Sequence, residues 1–193
     1  MTRIEAGFTD ADRATIAALY WGAFGPKLGR ALGPRAEAEA YIAKCLMPEN
    51  ALIARNAAGK VVGVIGFKTM TSGLVAGGFG PLRGHFGLFG ATWRYALLAA
   101  LPQDVDNTRF LIDGLFVAEE ARGTGLGTRL IWALADRARA QGYRQMRLEV
   151  VDTNLRAKAL YHRLGFVAAG RIDMGLRALI FGYDSATTMV LDL

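Results

Sequence analysis

The chain has 193 residues, of which 52% are hydrophobic and 21% charged, and this composition indicates one folded domain with a substantial core. The net charge of +6 comes from dispersed basic residues that form no run, so we expect no nucleic-acid partner. Cys45 is the only cysteine, which excludes an intrachain disulfide and favours a reducing, cytoplasmic environment. We expect no membrane span and no signal peptide, because no apolar stretch has the length or position that either requires.

The first part of the chain predicts two helices between short strands. Thr9 or Asp10 is expected to cap the first helix, and Gly25-Pro26 is expected to end it, because proline disrupts a helix interior. Pro34 suits the first turn of the second helix. The expected elements are a strand over residues 3–8, helices over residues 10–25 and 34–46, and a hairpin of strands over residues 51–55 and 60–69.

A glycine-rich segment follows the hairpin. Seven glycines occur among the eighteen residues from Gly73 to Gly90, which predicts a mobile loop. The loop leads into a helix expected from about Phe86 to Leu101, and Pro102 ends it. Because apolar side chains occur on nearly every face of this helix, we expect it to be buried, to cover a ligand or to meet a partner, for example in a homodimer.

Strands and helices alternate in the second part of the chain. The expected elements are strands over residues 110–117, 145–151, 166–172 and 186–191, with helices over residues 124–141 and 154–163 after the first two strands. This order predicts an α/β fold with a mixed sheet, because the terminal strands arrive by hairpins. We find no internal repeat and no linker, so residues 1–193 are expected to form a single domain.

One turn between a strand and a helix has the composition of an anion site. Arg122-Gly-Thr-Gly-Leu-Gly127 follows an apolar strand, and its glycines let the backbone approach a ligand closely. The amides and the positive end of the helix dipole at such a junction favour a phosphate. A strand–helix turn without a ligand is the alternative interpretation.

Two better-known phosphate motifs differ from this turn. A P-loop requires Lys-Ser/Thr after the last glycine, where this chain has Thr128-Arg129. A dinucleotide fingerprint requires Gly-x-Gly-x-x-Gly directly after its strand. The dinucleotide interpretation remains weakly open because Glu149, 22 residues after Gly127, could bind a ribose.

A second motif lies between Asn154 and Phe166. It reads Asn-Leu-Arg-Ala-Lys-Ala-Leu-Tyr-His-Arg-Leu-Gly-Phe, with apolar residues at helical spacing and Gly165 as a C-cap. On this pattern alone, Tyr161 could be a core aromatic and Asn154 a helix cap.

Together the two motifs resemble the GNAT superfamily of acyl-CoA-dependent N-acetyltransferases. The family signature Arg/Gln-x-x-Gly-x-Gly/Ala matches Arg122–Gly127, and the family's later motif matches Asn154–Phe166 at every fixed position. The resemblance covers most of the chain, whereas residues 73–102 depart from it as an insertion that we expect to shape the acceptor site or a subunit interface. It implies a mixed, mostly antiparallel twisted sheet of about six to seven strands flanked by helices, with the glycine-rich, apolar helical insertion added.

The resemblance also implies acetyl-CoA as co-substrate, and no metal. Amides of the glycine turn would hold the pyrophosphate, the strand before the turn would pair with the pantetheine arm, and Asn154 would bind near that arm. Lys158 and Arg156 could approach the adenosine phosphates, although a solvated helix face is the alternative. The implied cofactor-binding residues are Leu115, Phe116, Val117, Arg122, Gly123, Thr124, Gly125, Leu126, Gly127, Thr128, Asn154 and Lys158.

In this family the acetyl group passes directly to an amine, and a tyrosine at the position of Tyr161 protonates the departing thiolate. A lysine-like amine with a pKa of about 10.4 costs roughly 4–5 kcal/mol to deprotonate at pH 7, so a general base is expected. Asp113 and Glu149 are the two candidates, although either could instead bind main chain or face solvent. The acceptor would be a primary amine of a small molecule, amino acid or peptide terminus. A non-catalytic acyl-CoA sensor and a nicotinamide-dinucleotide enzyme are the alternatives.

Overall fold

A mixed sheet runs through the middle of the protein. The computed structural model describes residues 2–69, 71–100 and 108–193, and within them the sheet has seven strands in the order β1-β2-β3-β4-β5-β7-β6. The strands are β1 Arg3–Ala6, β2 Ala51–Arg55, β3 Val61–Lys68, β4 Phe110–Val117, β5 Gln145–Val151, β6 Val167–Asp173 and β7 Ser185–Asp192. Only β4 and β5 pair in parallel, and the other neighbours are antiparallel. The predicted fold class is confirmed.

Helices cover both faces of the sheet. They are α1 Arg13–Leu32, α2 Arg35–Cys45, α3 Phe79–Ala99, α4 Leu126–Ala140, α5 Leu155–Arg163 and the short α6 Ala178–Phe181. Leu52 of β2 packs in one core cluster with Leu130 of α4, whereas its neighbour Ile53 packs in the opposite cluster with Ile16 of α1. This alternation follows the two-residue period of a strand, and it explains why the central strands are apolar on both sides. None of the helices described is long and apolar enough to cross a membrane.

The predicted end of the first helix at Gly25-Pro26 is wrong. α1 continues through Pro26 to Leu32, and Gly33, at φ 83°, ends it. A proline inside a helix costs about 3 kcal/mol because it removes one hydrogen bond. Pro26 and Gly22 are both exposed, so water can bind the carbonyl that is left without a donor, while Leu32 is buried and keeps the last turn in place.

The predicted start of the insertion helix near Phe86 is also wrong. α3 already begins at Phe79, and Gly87, with φ 71° and ψ 177°, kinks it near the middle. Burial of Leu82 on the inner face stabilises the early turns despite their glycines, although Phe89 on the outer face is 90% exposed. The predicted helix end at Leu101-Pro102 lies outside the described residues.

An ion-pair network ties the first strand to the start of α1. The Arg55 guanidinium donates to both carboxylate oxygens of Asp12 at 2.7 Å, and it also binds Glu5. The hydrogen bonds from Arg55 hold the pKa of Asp12 well below its usual value. The folded protein therefore keeps the charged form of Asp12 to a lower pH than the unfolded chain does.

We expect Arg55→Met to lower the free energy of unfolding at pH 7 by about 2 kcal/mol, because a half-buried charged hydrogen-bond pair is lost. The stabilisation from Asp12 is complete above its unfolded pKa of about 4 and is lost as the pH falls towards its depressed folded pKa. The difference between wild type and variant should therefore shrink in urea unfolding measured from pH 7 down to pH 3. Arg139→Met is the control, because Arg139 makes an exposed pair with Asp136 at 2.9 Å. An equal effect of both substitutions would contradict this assignment.

Candidate active site

The parallel strands β4 and β5 separate soon after they meet. Their pairing consists of Phe110 with Met146 and Leu111 with Arg147. On the other side of β4 the register shifts, because Gly66 and Phe67 of β3 pair with Gly114 and Ile112 and leave Asp113 as an extra residue. A bulge of this kind bends its strand. The edge of β4 that faces β5 is therefore unpaired from Ile112 onwards, and the sheet opens there.

A cleft of about 890 Å³ lies beside this opening. The end of β4, the glycine turn, the first turn of α4, the helix α5 and one face of α1 line it. Of the residues predicted for the site, those that line it are Leu115, Phe116, Val117, Arg122, Gly123, Gly125, Leu126, Gly127, Thr128, Asn154 and Tyr161. The fold thus brings the two sequence motifs to one cleft.

The glycine turn presents unpaired amides at the start of α4. Gly123 and Gly125 have φ angles of 81° and 78°, which favour glycine. Gly125 is the N-cap, so no side chain caps the helix, and its carbonyl accepts from Arg129 at 3.1 Å. Within the described residues, no backbone carbonyl accepts from the amides of residues 123–128. These donors and the helix dipole have the arrangement that favours binding of an anion.

The Arg122 side chain stabilises this turn by two contacts with the residues that precede it. Its Nε donates to the carbonyl of Val117 at 3.1 Å, and its guanidinium binds Glu119 at 3.2 Å. The Thr124 hydroxyl donates to the carbonyl of Ala121 at 2.8 Å, and Thr124 is not among the residues that line the cleft. Both side chains therefore hold the loop in shape.

Basic side chains surround the cleft, but Lys158 is not one of them. Its ammonium donates to Asp152 at 2.8 Å and to Thr187 at 3.0 Å, away from the cleft lining. Arg156 and Arg163 of α5 line the cleft instead, together with Arg35 of α2. Arg35 and Arg163 are not among the residues predicted for the site. The seven-residue spacing of Arg156 and Arg163, which places both on one helix face, could have indicated Arg163.

Tyr161 belongs to both the core and the cleft. Its ring packs against Phe166 with 5.6 Å between centroids, and the residue is only 8% exposed. Burial raises the pKa of its hydroxyl to about 12. The hydroxyl therefore remains protonated at neutral pH and can donate a proton to a group in the cleft.

The two carboxylates proposed as general bases have different surroundings, and neither lines the cleft itself. Asp113 accepts from the amide of Leu74 at 2.8 Å and lies 3.5 Å from the Lys68 ammonium. Glu149 accepts from the Arg147 guanidinium at 3.2 Å. Asp113 thus fastens the insertion to β4, whereas Glu149 lies on β5 across the opening.

Asn154 caps the helix that carries Tyr161. Its Oδ1 accepts from the amide of Ala157 at 3.1 Å, and the residue also lines the cleft. The side-chain oxygen of Asn154 is therefore used in capping the helix, while its side-chain amide nitrogen can donate to a ligand. The described residues contain no group of three or more His, Cys, Asp or Glu side chains placed to hold a metal.

Curated relatives match short parts of this chain. The L-methionine sulfoximine/L-methionine sulfone acetyltransferase of Pseudomonas aeruginosa is 40% identical over 58 residues, which is 30% of this chain and 34% of that protein. The spermine/spermidine N(1)-acetyltransferase of Bacillus subtilis is 31% identical over 80 residues, covering 41% of this chain and 53% of that protein. The chain thus spans about one third to one half of the length of these relatives.

Solved structures and a family model match much more of the chain. An N-acetyltransferase from Staphylococcus aureus Mu50 superposes with a TM-score of 0.68 at 17% identity, covering 98% of this chain and 100% of that one. An agmatine N-acetyltransferase gives a TM-score of 0.61 at 17% identity, covering 100% and 99%. Such likenesses show the fold. The model described as the acetyltransferase (GNAT) family matches residues 14–166, more than half of the chain. This protein belongs to the acetyltransferase (GNAT) family.

Proposed function

We propose that the protein transfers an acetyl group from acetyl-CoA directly to a primary amine of a small molecule, amino acid or peptide terminus. One observation carries this proposal: a single cleft joins the unpaired amides of the glycine turn, the open edge of β4 and the protonated hydroxyl of Tyr161. An anion receptor, an unpaired strand edge and a proton donor are what a phosphate-bearing thioester requires.

The residues of the cleft fit acetyl-CoA. Amides of residues 123–128 would hold the pyrophosphate, and Leu115–Val117 would offer backbone groups to the pantetheine arm. Arg156, Arg163 and Arg35 would supply positive charge for the remaining phosphate. When bound, acetyl-CoA supplies an activated thioester.

Tyr161 would act as the general acid. A thiol has an ordinary pKa of about 8.5, so the thiolate is already a tolerable leaving group, and a proton from Tyr161 assists its departure. Because burial raises the pKa of the Tyr161 hydroxyl, the hydroxyl would still carry its proton when the thiolate departs.

Of the two carboxylates, Glu149 is the one that we assign to the acceptor amine. Asp113 accepts from the amide of Leu74 and lies near the Lys68 ammonium, so it is tied to the insertion, whereas Glu149 lies on β5 across the opening. Glu149 would orient the amine and remove its proton directly or through water, whereas Asp113 would position the insertion. The named relatives act on small amines, which supports an acceptor of this class.

The glycine turn allows a matched test of cofactor binding. Gly125 and Gly142 have φ angles of 78° and 84°, and a Cβ at either position would meet no atom of the described residues within 4 Å. Alanine at either position should therefore cost a similar free energy of unfolding, about 1 kcal/mol. Only Gly125→Ala should weaken acetyl-CoA binding, about tenfold or more, because strain in this turn misaligns the amides. Isothermal titration of wild type and both variants measures this difference.

The outcomes separate the candidate functions. No binding of acetyl-CoA by the wild type would contradict the proposal, and binding of NADH instead would favour a dinucleotide enzyme. Tight acetyl-CoA binding without thiol release over a broad panel of amines would indicate a non-catalytic acyl-CoA sensor. Thiol release that depends on an added amine would support acetyl transfer.

A further inference from the structure

Helix α1 extends past the cleft to the opening between β4 and β5. Ala23 lines the cleft, and the ring of Phe24 lies over Gly114, where an added Cβ would come within 2.8 Å of it. Lys27 follows Ala23 by one helical turn, on the same face of α1. Gly114 precedes Leu115 on β4, so the Phe24 ring lies next to the inner end of the proposed pantetheine path, and the Lys27 ammonium lies near that ring.

The ammonium of Lys27 lies among aromatic rings. Its nitrogen is 5.0 Å from the ring centroid of Tyr183 and 5.6 Å from that of Phe24. Within residues 2–69, 71–100 and 108–193, no carboxylate oxygen lies within 4 Å of it, and it makes no hydrogen bond. Burial lowers the pKa of Lys27, and the negative charge of Glu149 opposes that effect. Among the described residues no carboxylate contacts this half-buried cation directly, which is costly, so an anion brought by a ligand would be favourable.

Glu149 presents the opposite charge on the other side of the opening. It alternates along β5 with Leu148 and Val150, which pack in the core cluster of α4. Glu149 therefore lies on the face of the sheet that α1 covers. Burial raises the pKa of Tyr183 and the negative charge of Glu149 raises it further, and the Tyr183 ring lies 5.0 Å from the Lys27 ammonium.

We propose that Lys27 binds a carboxylate of the acceptor, so that the acceptor is a small amine carrying a carboxylate, as in an α-amino acid. This inference rests on the proposed function and names the substrate class of the same site. Lys27 from α1 would hold the carboxylate, and Glu149 from β5 would face the amine. The Phe24 and Tyr183 rings would exclude water from the charge pair, which strengthens it.

Steady-state kinetics with matched acceptors tests the inference. Each of a set of L-amino acids is compared with its carboxamide and its decarboxylated amine, in wild type, Lys27→Met and Lys27→Arg. We expect Lys27→Met to lower kcat/KM for the amino acids about 10- to 100-fold, mainly through KM. The carboxamides and amines should change by about twofold or less, and Lys27→Arg should retain part of the preference. Lys60→Met is the control, because Lys60 is exposed and lies 3.6 Å from Glu120.

A second readout does not require turnover. Isothermal titration of N-acetyl-L-amino acids into the CoA-bound protein should show binding that Lys27→Met weakens to the same extent. Turnover of amines and carboxamides but not of amino acids, or equal losses for all three in Lys27→Met, would overturn this inference and leave the proposed function intact. If no acceptor releases thiol, the proposed function fails. The titration then decides, since binding that depends on Lys27 supports the inference and its absence overturns it.

Discussion

Tyr161→Phe is expected to lower kcat about 10²- to 10⁴-fold, the usual contribution of a positioned general acid. The acetyl-CoA dissociation constant should change little, because phenylalanine keeps the ring that packs against Phe166. Stopped-time thiol release at saturating acceptor, with titration of acetyl-CoA alongside, separates the two quantities. A loss of affinity with kcat unchanged would contradict the assignment of Tyr161 as the acid.

The pH profile adds a second criterion for Tyr161. Its raised pKa, about 12, means that the hydroxyl stays protonated below that pH. Deprotonation of Tyr161 should therefore begin to matter only as the pH approaches 12. Any fall in wild-type activity between pH 7 and 10 should come from another group, and Tyr161→Phe should show the same fall. Tyr143→Phe is the matched control, because Tyr143 packs on Phe110 at 5.2 Å in the turn after α4 and does not line the cleft. It should leave kcat unchanged.

Glu149→Gln is expected to lower kcat about 10²-fold for acceptors with a lysine-like amine, since those amines depend most on a base. Glutamine keeps the size of the side chain and an oxygen that can accept from Arg147. Initial rates with an alkylamine and with a less basic α-amine carboxamide should show a larger loss for the alkylamine.

Asp113→Ala provides the contrast to Glu149→Gln. It leaves the amide of Leu74 without its acceptor, so we expect the free energy of unfolding to fall by about 1–3 kcal/mol. Residual folded protein should retain most of its kcat, measured at a temperature below the transition. A large kcat loss in Asp113→Asn with Glu149→Gln unaffected would reverse the two roles.

Local patterns predicted most of the second half of the fold. β4 at Phe110–Val117 and β5 at Gln145–Val151 match the sequence expectation to the residue, because apolar runs bounded by polar turns determine them. The path of α1 through Pro26 could not be read from local signals, since buried contacts of the last turn, at Leu32, outweigh the proline. The early start of α3 could not be read from local signals either, because burial of Leu82 outweighs the glycines of its first turns.

In the candidate site, too, local patterns indicated some of the residues and the tertiary fold determines the others. Motif spacing predicted the residues around Gly125 and Tyr161, because each motif lies within a single strand–helix unit. Arg35, which lines the cleft, and Lys27, which we propose for the acceptor, come from helices far away in the sequence, so no spacing in the sequence indicated them. Lys158 belongs to a matched motif, yet Asp152 and Thr187 attract its ammonium away from the cleft. Electrostatic partners across strands are not visible in a linear pattern.

The bulge at Asp113 has an engineering consequence. The same extra residue that bends β4 away from β5 also anchors the start of the insertion through the amide of Leu74. Segments exchanged between related proteins at residues 73–100 will therefore not be interchangeable modules. We expect that a graft must present a backbone donor at the position of Leu74, or the width of the opening between β4 and β5 will change with it.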